Sequence, residues 1–170
     1  GVRAGGPGTS ILNNVIITVG DTNAGYQQTG VGLSVNNAGL LENNVIAYAG
    51  RTGINGSGTG ALVFTIRYND VFGSRPDYSD SIGDRTGEAG NVSVAPLFSD
   101  NPGLFYLASD SPLIDAGSPS VLDPDGTRSD IGMYGGPYAT DVRYAPASFD
   151  LTAPADSATV LGSVTFDWKA

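Results

Sequence analysis

The sequence predicts an all-β chain whose short strands stack coil upon coil into a solenoid. Three observations point there. Val, Ile, Leu, Phe and Tyr fall in short runs separated by Gly, Asn and Asp, and Gly alone supplies 25 of the 170 residues. Runs of β-branched and aromatic residues broken by turn residues specify strands and tight corners. No stretch of about ten residues keeps the i, i+3, i+4, i+7 apolar spacing of an amphipathic helix. Finally, an Asn-containing motif recurs at Leu12-Asn13-Asn14-Val15, Leu41-Glu42-Asn43-Asn44-Val45 and Tyr68-Asn69-Asp70-Val71. With Asn13, Asn43 and Asn69 taken as equivalent, the offsets are thirty and twenty-six residues, within the window of repeat architectures.

Taken in order, residues 1–10 are a Gly-rich edge. Ile11–Ile17 is an apolar strand with an Asn pair inside it, and Leu41–Ile46 repeats it. Between them Val31–Val35 alternates, and Ala61–Arg67 is the strongest β run, followed by the third motif at Tyr68–Phe72. Each repeat thus holds two or three short strands joined by Gly/Asn corners. That is the content of one turn of a parallel β-helix, and ~25 residues per turn gives about four coils. Asn side chains stacked at one corner can hydrogen-bond to one another and to left-handed backbone. As an alternative, an Asn pair makes a hairpin turn in a β-sandwich; the shared context, three times over, favours the ladder.

Residues 73–90 break the rhythm with Asp77, Asp80, Asp84 and two Arg, and are expected to protrude as a long loop. Asn91–Phe98 resumes β structure, with Pro96 suiting an edge, and Leu104–Leu107 adds another short run. Ser111–Gly136 pairs an apolar unit, Pro112-Leu113-Ile114, with an Asp/Gly/Pro turn and a short run at Ile131–Tyr134, and is expected to close the solenoid. Residues 138–148 form a linker. Phe149–Trp168 then has two strand-like segments around a Pro-Ala-Asp-Ser turn, the start of an immunoglobulin- or fibronectin-like sandwich. Two strands cannot bury both faces, so this segment is expected either to be a truncated domain or to complete another molecule by strand addition. The expected division is therefore 1–137, coils and cap; 138–148, linker; 149–170, sandwich or donor strands.

The net charge is −9, with seven Arg and one Lys against fifteen Asp and two Glu. Such a surface repels phosphate backbones and argues against a nucleic-acid partner. With no Cys and no His, thiol catalysis, the usual zinc sites, Ser-His-Asp triads and disulfides are excluded. No apolar run approaches the ~18 residues of a membrane span. Because Gly1-Val2-Arg3 begins without Met or a signal-like segment, a portion of a longer protein is expected.

Asp is both a turn residue and a hard-cation ligand. The best ion-site candidate is Asp123-Pro124-Asp125-Gly126 with Asp130 beyond it, carboxylates one residue apart followed by Gly as in Ca²⁺ loops. It lacks the acidic twelfth position of an EF-hand counted from Asp123, and the same residues serve as a metal-free turn. Asp77, Asp80 and Asp84 form a weaker cluster.

The ordered set Ala95-Pro96-Leu97-Phe98, Leu107, Ser111-Pro112-Leu113-Ile114-Asp115-Ala116-Gly117, Asp123-Pro124-Asp125-Gly126 and Asp130-Ile131-Gly132 resembles the C-terminal end of bacterial secreted right-handed parallel β-helix proteins, of the group with a choice-of-anchor region after the helix. Tyr134-Gly135-Gly136 fits that ending, while Met133 replaces a small residue. The resemblance covers about 40 residues and implies a right-handed coil, an extracellular or cell-surface location and a sandwich module downstream. Many parallel β-helix proteins are polysaccharide lyases or hydrolases, and Arg67 near Asp70 lends itself to a lyase-like arrangement. Fold alone does not confer that chemistry; Arg is scarce, and Lys and His are missing from the coils. The expectation is a non-catalytic extracellular structural or adhesive module, self-associating into a filament through Phe149–Trp168 or the solenoid ends. The alternative is a fragment of a polysaccharide-degrading or carbohydrate-binding protein.

Overall fold

The structure, a computed structural model, describes residues 2–5, 8–17, 31–36, 38–56, 63–99, 104–139, 150–153 and 167–169. The described regular elements are all strands: β1 (Val2–Gly5), β2 (Thr9–Leu12), β3 (Val15–Ile17), β4 (Leu33–Asn36), β5 (Ala38–Glu42), β6 (Val45–Ala47), β7 (Ile54–Gly56), β8 (Val63–Arg67), β9 (Asp70–Phe72), β10 (Asp150–Ala153) and β11 (Asp167–Lys169). The first nine form three parallel sheets, ordered β1-β4-β7, β2-β5-β8 and β3-β6-β9. Each repeat therefore contributes one strand to each sheet. Parallel neighbours require a long crossover, and here the rest of the repeat is that crossover.

Register stacks like on like. Val2, Leu33 and Ile54 share one column, Ile11, Leu41 and Ile66 another, and Ile16, Ile46 and Val71 a third. The inward positions of all three sheets meet in one core of Ile16, Leu33, Val35, Leu41, Ile46, Ile54, Val71 and Tyr78. Each fully buried aliphatic side chain there contributes about 2 kcal/mol. Because side chains alternate along a strand, Val45 and Ala47 of β6 face the other way, into a second core with Leu113 and Ile131. The β3-β6-β9 sheet is thus covered on both faces.

The corner before β3, β6 and β9 is sharp because one residue adopts a left-handed conformation: Asn13 (φ 53°), Asn43 (φ 56°) and Tyr68 (φ 52°). Asn tolerates this region; a bulky side chain rarely does. Tyr68 is held there by the Arg128 guanidinium, 5.5 Å from its ring centroid, and lies against Gly90 (φ 77°), where any Cβ would collide with its ring.

The expected single strands Ile11–Ile17 and Leu41–Ile46 are each split at their Asn corner into strands of two sheets. The expected strands at Asn91–Phe98 and Leu104–Leu107 are isolated bridges only. Two longer segments also depart from the sequence expectation. Residues 73–90 do not simply protrude: Tyr78 bridges Ile54 in parallel and Ile82 packs against the inner core. Together with Val92, which bridges Asp70 in parallel, they cover the far edge of the stack. Two apolar side chains among polar ones suffice to fold the segment inward. Residues 111–136, expected to follow the last coil as its end, instead lie along the outer face of the third sheet. Gly132 N–H donates to Asn43 O (2.9 Å), Asn13 Nδ2 reaches Gly132 O (3.4 Å), and Leu113 and Ile131 fill the outer core. They lie there because Val15, Val45 and Ala47 offer an apolar face, which Leu113 and Ile131 cover together with Val92, Val94, Phe98 and Leu107.

At the C-terminus, β10 and β11 pair antiparallel, with Asp150 opposite Lys169 and Leu151 opposite Trp168. The remaining residues between 149 and 166, and the linker beyond Ala139, lie outside the described residues.

Candidate functional site

Four asparagines run up one corner of the stack. Asn14 N and Nδ2 each lie 3.0 Å from Asn44 Oδ1. Asn44 N and Nδ2 lie 3.0 and 2.9 Å from Asn69 Oδ1, and Asn69 N and Nδ2 lie 3.0 and 3.1 Å from Asn91 Oδ1. Each Nδ2 also reaches back to its own coil, to Leu12, Glu42, Arg67 and Glu88 carbonyls respectively. In the last three, Nδ2 reaches across to the preceding coil as well, at Ile11 O, Leu41 O and Ile66 O. An amide has two N–H donors, so at Asn44 and Asn69, with three acceptors each, one is shared. Asn44 and Asn69 are fully buried, where an unmet amide is costly; the ladder meets both.

The sequence reading put Asn13, Asn43 and Asn69 in register. The structure shifts the third by one and adds a fourth rung, so that Asn14, Asn44, Asn69 and Asn91 correspond. The first residue of each corner supplies the bend, and the second supplies the amide. The common signal was the Asn after the bend, followed directly by Val at 14, 44 and 91 and, one residue later, at 69.

The ladder has direction. Donors on each coil point to Oδ1 on the next. At the far end Asn91 N–H turns back to Glu88 O (2.9 Å), which closes the series. At the near end Asn14 Oδ1 receives no donor among the described residues, and β1, β2 and β3 are edge strands of their sheets. Val2, in the column whose other members Leu33 and Ile54 are fully buried, is 45% exposed here.

The three carboxylates expected to hold a cation are not brought to one point. Asp123 Oδ2 accepts from Asp130 N–H (3.1 Å) and Oδ1 from Gly136 N–H. Asp130 Oδ1 accepts from Asp115 N–H (2.8 Å), while Asp125 is exposed and takes Thr127 N–H and Oγ1–H at 3.0 and 2.8 Å. Among the described residues no cluster of three or more acidic side chains could hold a metal. As the side chains stand, Asp123 and Asp130 join loop segments through backbone N–H groups. Of the second cluster, Asp77 accepts from Ser74 N–H and Ser93 Oγ–H (both 2.9 Å), and Asp84 from Thr86 N–H.

Arg67 and Asp70 are close in sequence but differently engaged. Arg67 forms a 2.7 Å ion pair with Glu42, its cross-strand partner in the β5–β8 register. Asp70 occupies the Val15–Val45 column and is fully buried. Its Oδ1 accepts from Val94 N–H (3.0 Å), and Oδ2 has no partner among the described residues. Burial pushes the Asp70 carboxyl up to about 7; the Val94 N–H opposes this shift and the charge of Asp77 adds to it. Burial likewise raises the Tyr78 phenol, whose oxygen also has no partner among the described residues.

A cleft of about 450 Å³ lies beside the open corner, lined by Leu12, Asn13, Glu42 and Asn43 on one side and by Met133 and Tyr138 on the other. Tyr138 is 97% exposed at its rim.

Comparison of the chain with known protein families, with curated proteins and with solved structures gives no match.

Proposed function

We propose that this chain is part of a non-catalytic extracellular structural or adhesive module. On this reading the three parallel sheets are coils of a right-handed β-helix, 138–148 is a linker, and 149–170 opens an immunoglobulin- or fibronectin-like domain. The supporting observation is the continuous corner ladder with all three sheets in matching parallel register, since coils bonded along their stacking axis make a stiff rod. Assembly into filaments proceeds by strand addition: among the described residues β10 and β11 each pair with the other along one edge only, and the other edge is where a further chain adds. The absence of Cys and the acidic, Asp-rich composition suit an exported surface protein. Electron microscopy and sedimentation of the purified chain test the proposal. Filaments that vanish when 149–170 is deleted are expected; a monodisperse species unchanged by that deletion overturns filament assembly.

One observation favours a second reading, carbohydrate recognition. The cleft has a largely apolar lining, the Glu42 carboxylate on one wall and the exposed Tyr138 ring at its rim, a combination of aromatic and polar groups common in ligand sites. Incubation with acidic and neutral polysaccharides, followed by assay of unsaturated products and reducing ends, would reveal turnover, and co-sedimentation would reveal binding.

A further inference from the structure

The two ends of the stack are not equivalent. The far end is finished: Tyr78, Ile82 and Val92 cover it, and Asn91 N–H turns onto Glu88 O. At the near end β1, β2 and β3 are edge strands, Val2 of the inward column is 45% exposed, and among the described residues the ladder stops on an acceptor. From the geometry we infer that this face is a docking surface for one further coil of parallel strands, joined to Val2 on its N-terminal side and running in the same direction. At its corner that coil carries a left-handed residue followed by Asn.

The polarity of the ladder selects this occupant. Asn44 Oδ1 accepts both N and Nδ2 of Asn14; by the same pattern Asn14 Oδ1 accepts both from an Asn one coil earlier. Asn14 Nδ2 lacks the cross-coil carbonyl that Asn44 finds at Ile11 O and Asn69 at Leu41 O; the added coil supplies it. A second copy of this chain does not fit. Its far end has its ladder donor turned back on Glu88 O and offers no N–H to Asn14. Its near end could meet this one only in antiparallel fashion, presenting acceptor to acceptor. Connection geometry agrees with a covalently joined coil: β6 ends at Ala47 and β7 begins at Ile54, so a short connection suffices to pass from one coil to the next. Val2, Leu33 and Ile54 share one register position, so a copy of Leu33–Gly53 placed directly before Val2 reproduces an existing junction.

This inference rests on the stacked-coil reading, and the experiment separates the two. Three chains are made: the native chain; the chain with the Leu33–Gly53 copy in place of Gly1; and the same graft with the ladder Asn of the copy changed to Ala. Amide hydrogen exchange is followed at β2 and β3. Docking is expected to raise protection there at least tenfold in the Asn graft and by much less in the Ala graft. Equal protection in both grafts, or none in either, overturns the proposal, as does a native dimer through this face that Asn14→Ala leaves intact. Asn44→Ala in the native chain controls for the coils themselves. If it leaves Tm unchanged, the stacked-coil reading fails and the inference with it; if it lowers Tm while the graft gains no protection, the docking proposal alone fails.

Discussion

At the scale of single residues, the corner shows why a bend and a rung need different side chains. The bend asks only for a backbone that tolerates positive φ, which Asn13, Asn43 and Tyr68 all provide. The rung asks for an amide, because one group must accept from the coil before and donate to the coil after. Asn44→Ala removes both and strands buried partners on two coils, so it is expected to cost about 3 kcal/mol in denaturant unfolding. Asn14→Ala, at the exposed end, should cost about 1 kcal/mol. Equal losses would contradict a directional ladder. The repeat was legible in the sequence, but its register was not: Asn-Asn twice and Asn-Asp once invite alignment on the first Asn, and nothing in the letters says which residue bends. Asp70 yields a prediction with a sign. Its folded pKa of about 7 lies above the ordinary 3.8, so the folded state holds its proton more tightly than the unfolded chain. The stabilisation from that proton is complete below the unfolded value and is lost as pH rises through about 7. Asp70→Asn should therefore be more stable than the native chain at pH 8, by an amount that shrinks as the pH is lowered toward 4. A difference that stays constant with pH would sink the assignment.

At the scale of elements, β6 is the most informative strand, because its alternation serves two cores at once. Ile46 points to the inner core and Val45 and Ala47 to the outer one. Ile46→Ala should cost about 3 kcal/mol by opening a cavity in a fully buried column, measured as a shift in the urea midpoint; a loss below about 0.5 kcal/mol would mean that the three sheets do not share that core. The outer core rests on a close approach. A Cβ at Gly117 would lie 2.6 Å from Ser129 O and 2.9 Å from Asn43 Oδ1. Gly117→Ala is therefore expected to loosen residues 111–136 while leaving the inner core protected in hydrogen exchange. The strand content of Ile11–Ile17 and of Val63–Arg67 could be read from composition, but not the corner at Asn13-Asn14 that splits the first run into β2 and β3. The placement of residues 111–136 could not, because a segment with few β-branched residues and many turns carries no periodicity. The apolar outer face of β3 and β6, which it shares with Val94, Phe98 and Leu107, decides where it goes.

At the scale of the whole molecule, the stack joins a finished end, an unfinished end and a side layer into one object. If the chain assembles as proposed, its net charge of −9 opposes association, so filament growth should strengthen with added salt as charge repulsion is screened. Growth that weakens with salt would point to ion pairs instead. The side layer has a further consequence. Coils recognise partners 22 to 30 residues away, as in the ladder contacts, whereas Asn43 is gripped by Ser118 and Ser129, 75 and 86 residues distant. Closing the longer loops carries the larger entropic cost, so the layer should lock on after the coils have formed and act as a brake on their opening. Ser129→Ala, which deletes the hydroxyl accepting from Asn43 Nδ2, is then expected to speed unfolding about tenfold and to leave refolding nearly unchanged. The reverse pattern in stopped-flow kinetics would place the layer in the nucleus. The layer that reaches farthest back along the chain would thus set how long the stack lasts, and the stacked strands would set how quickly it forms.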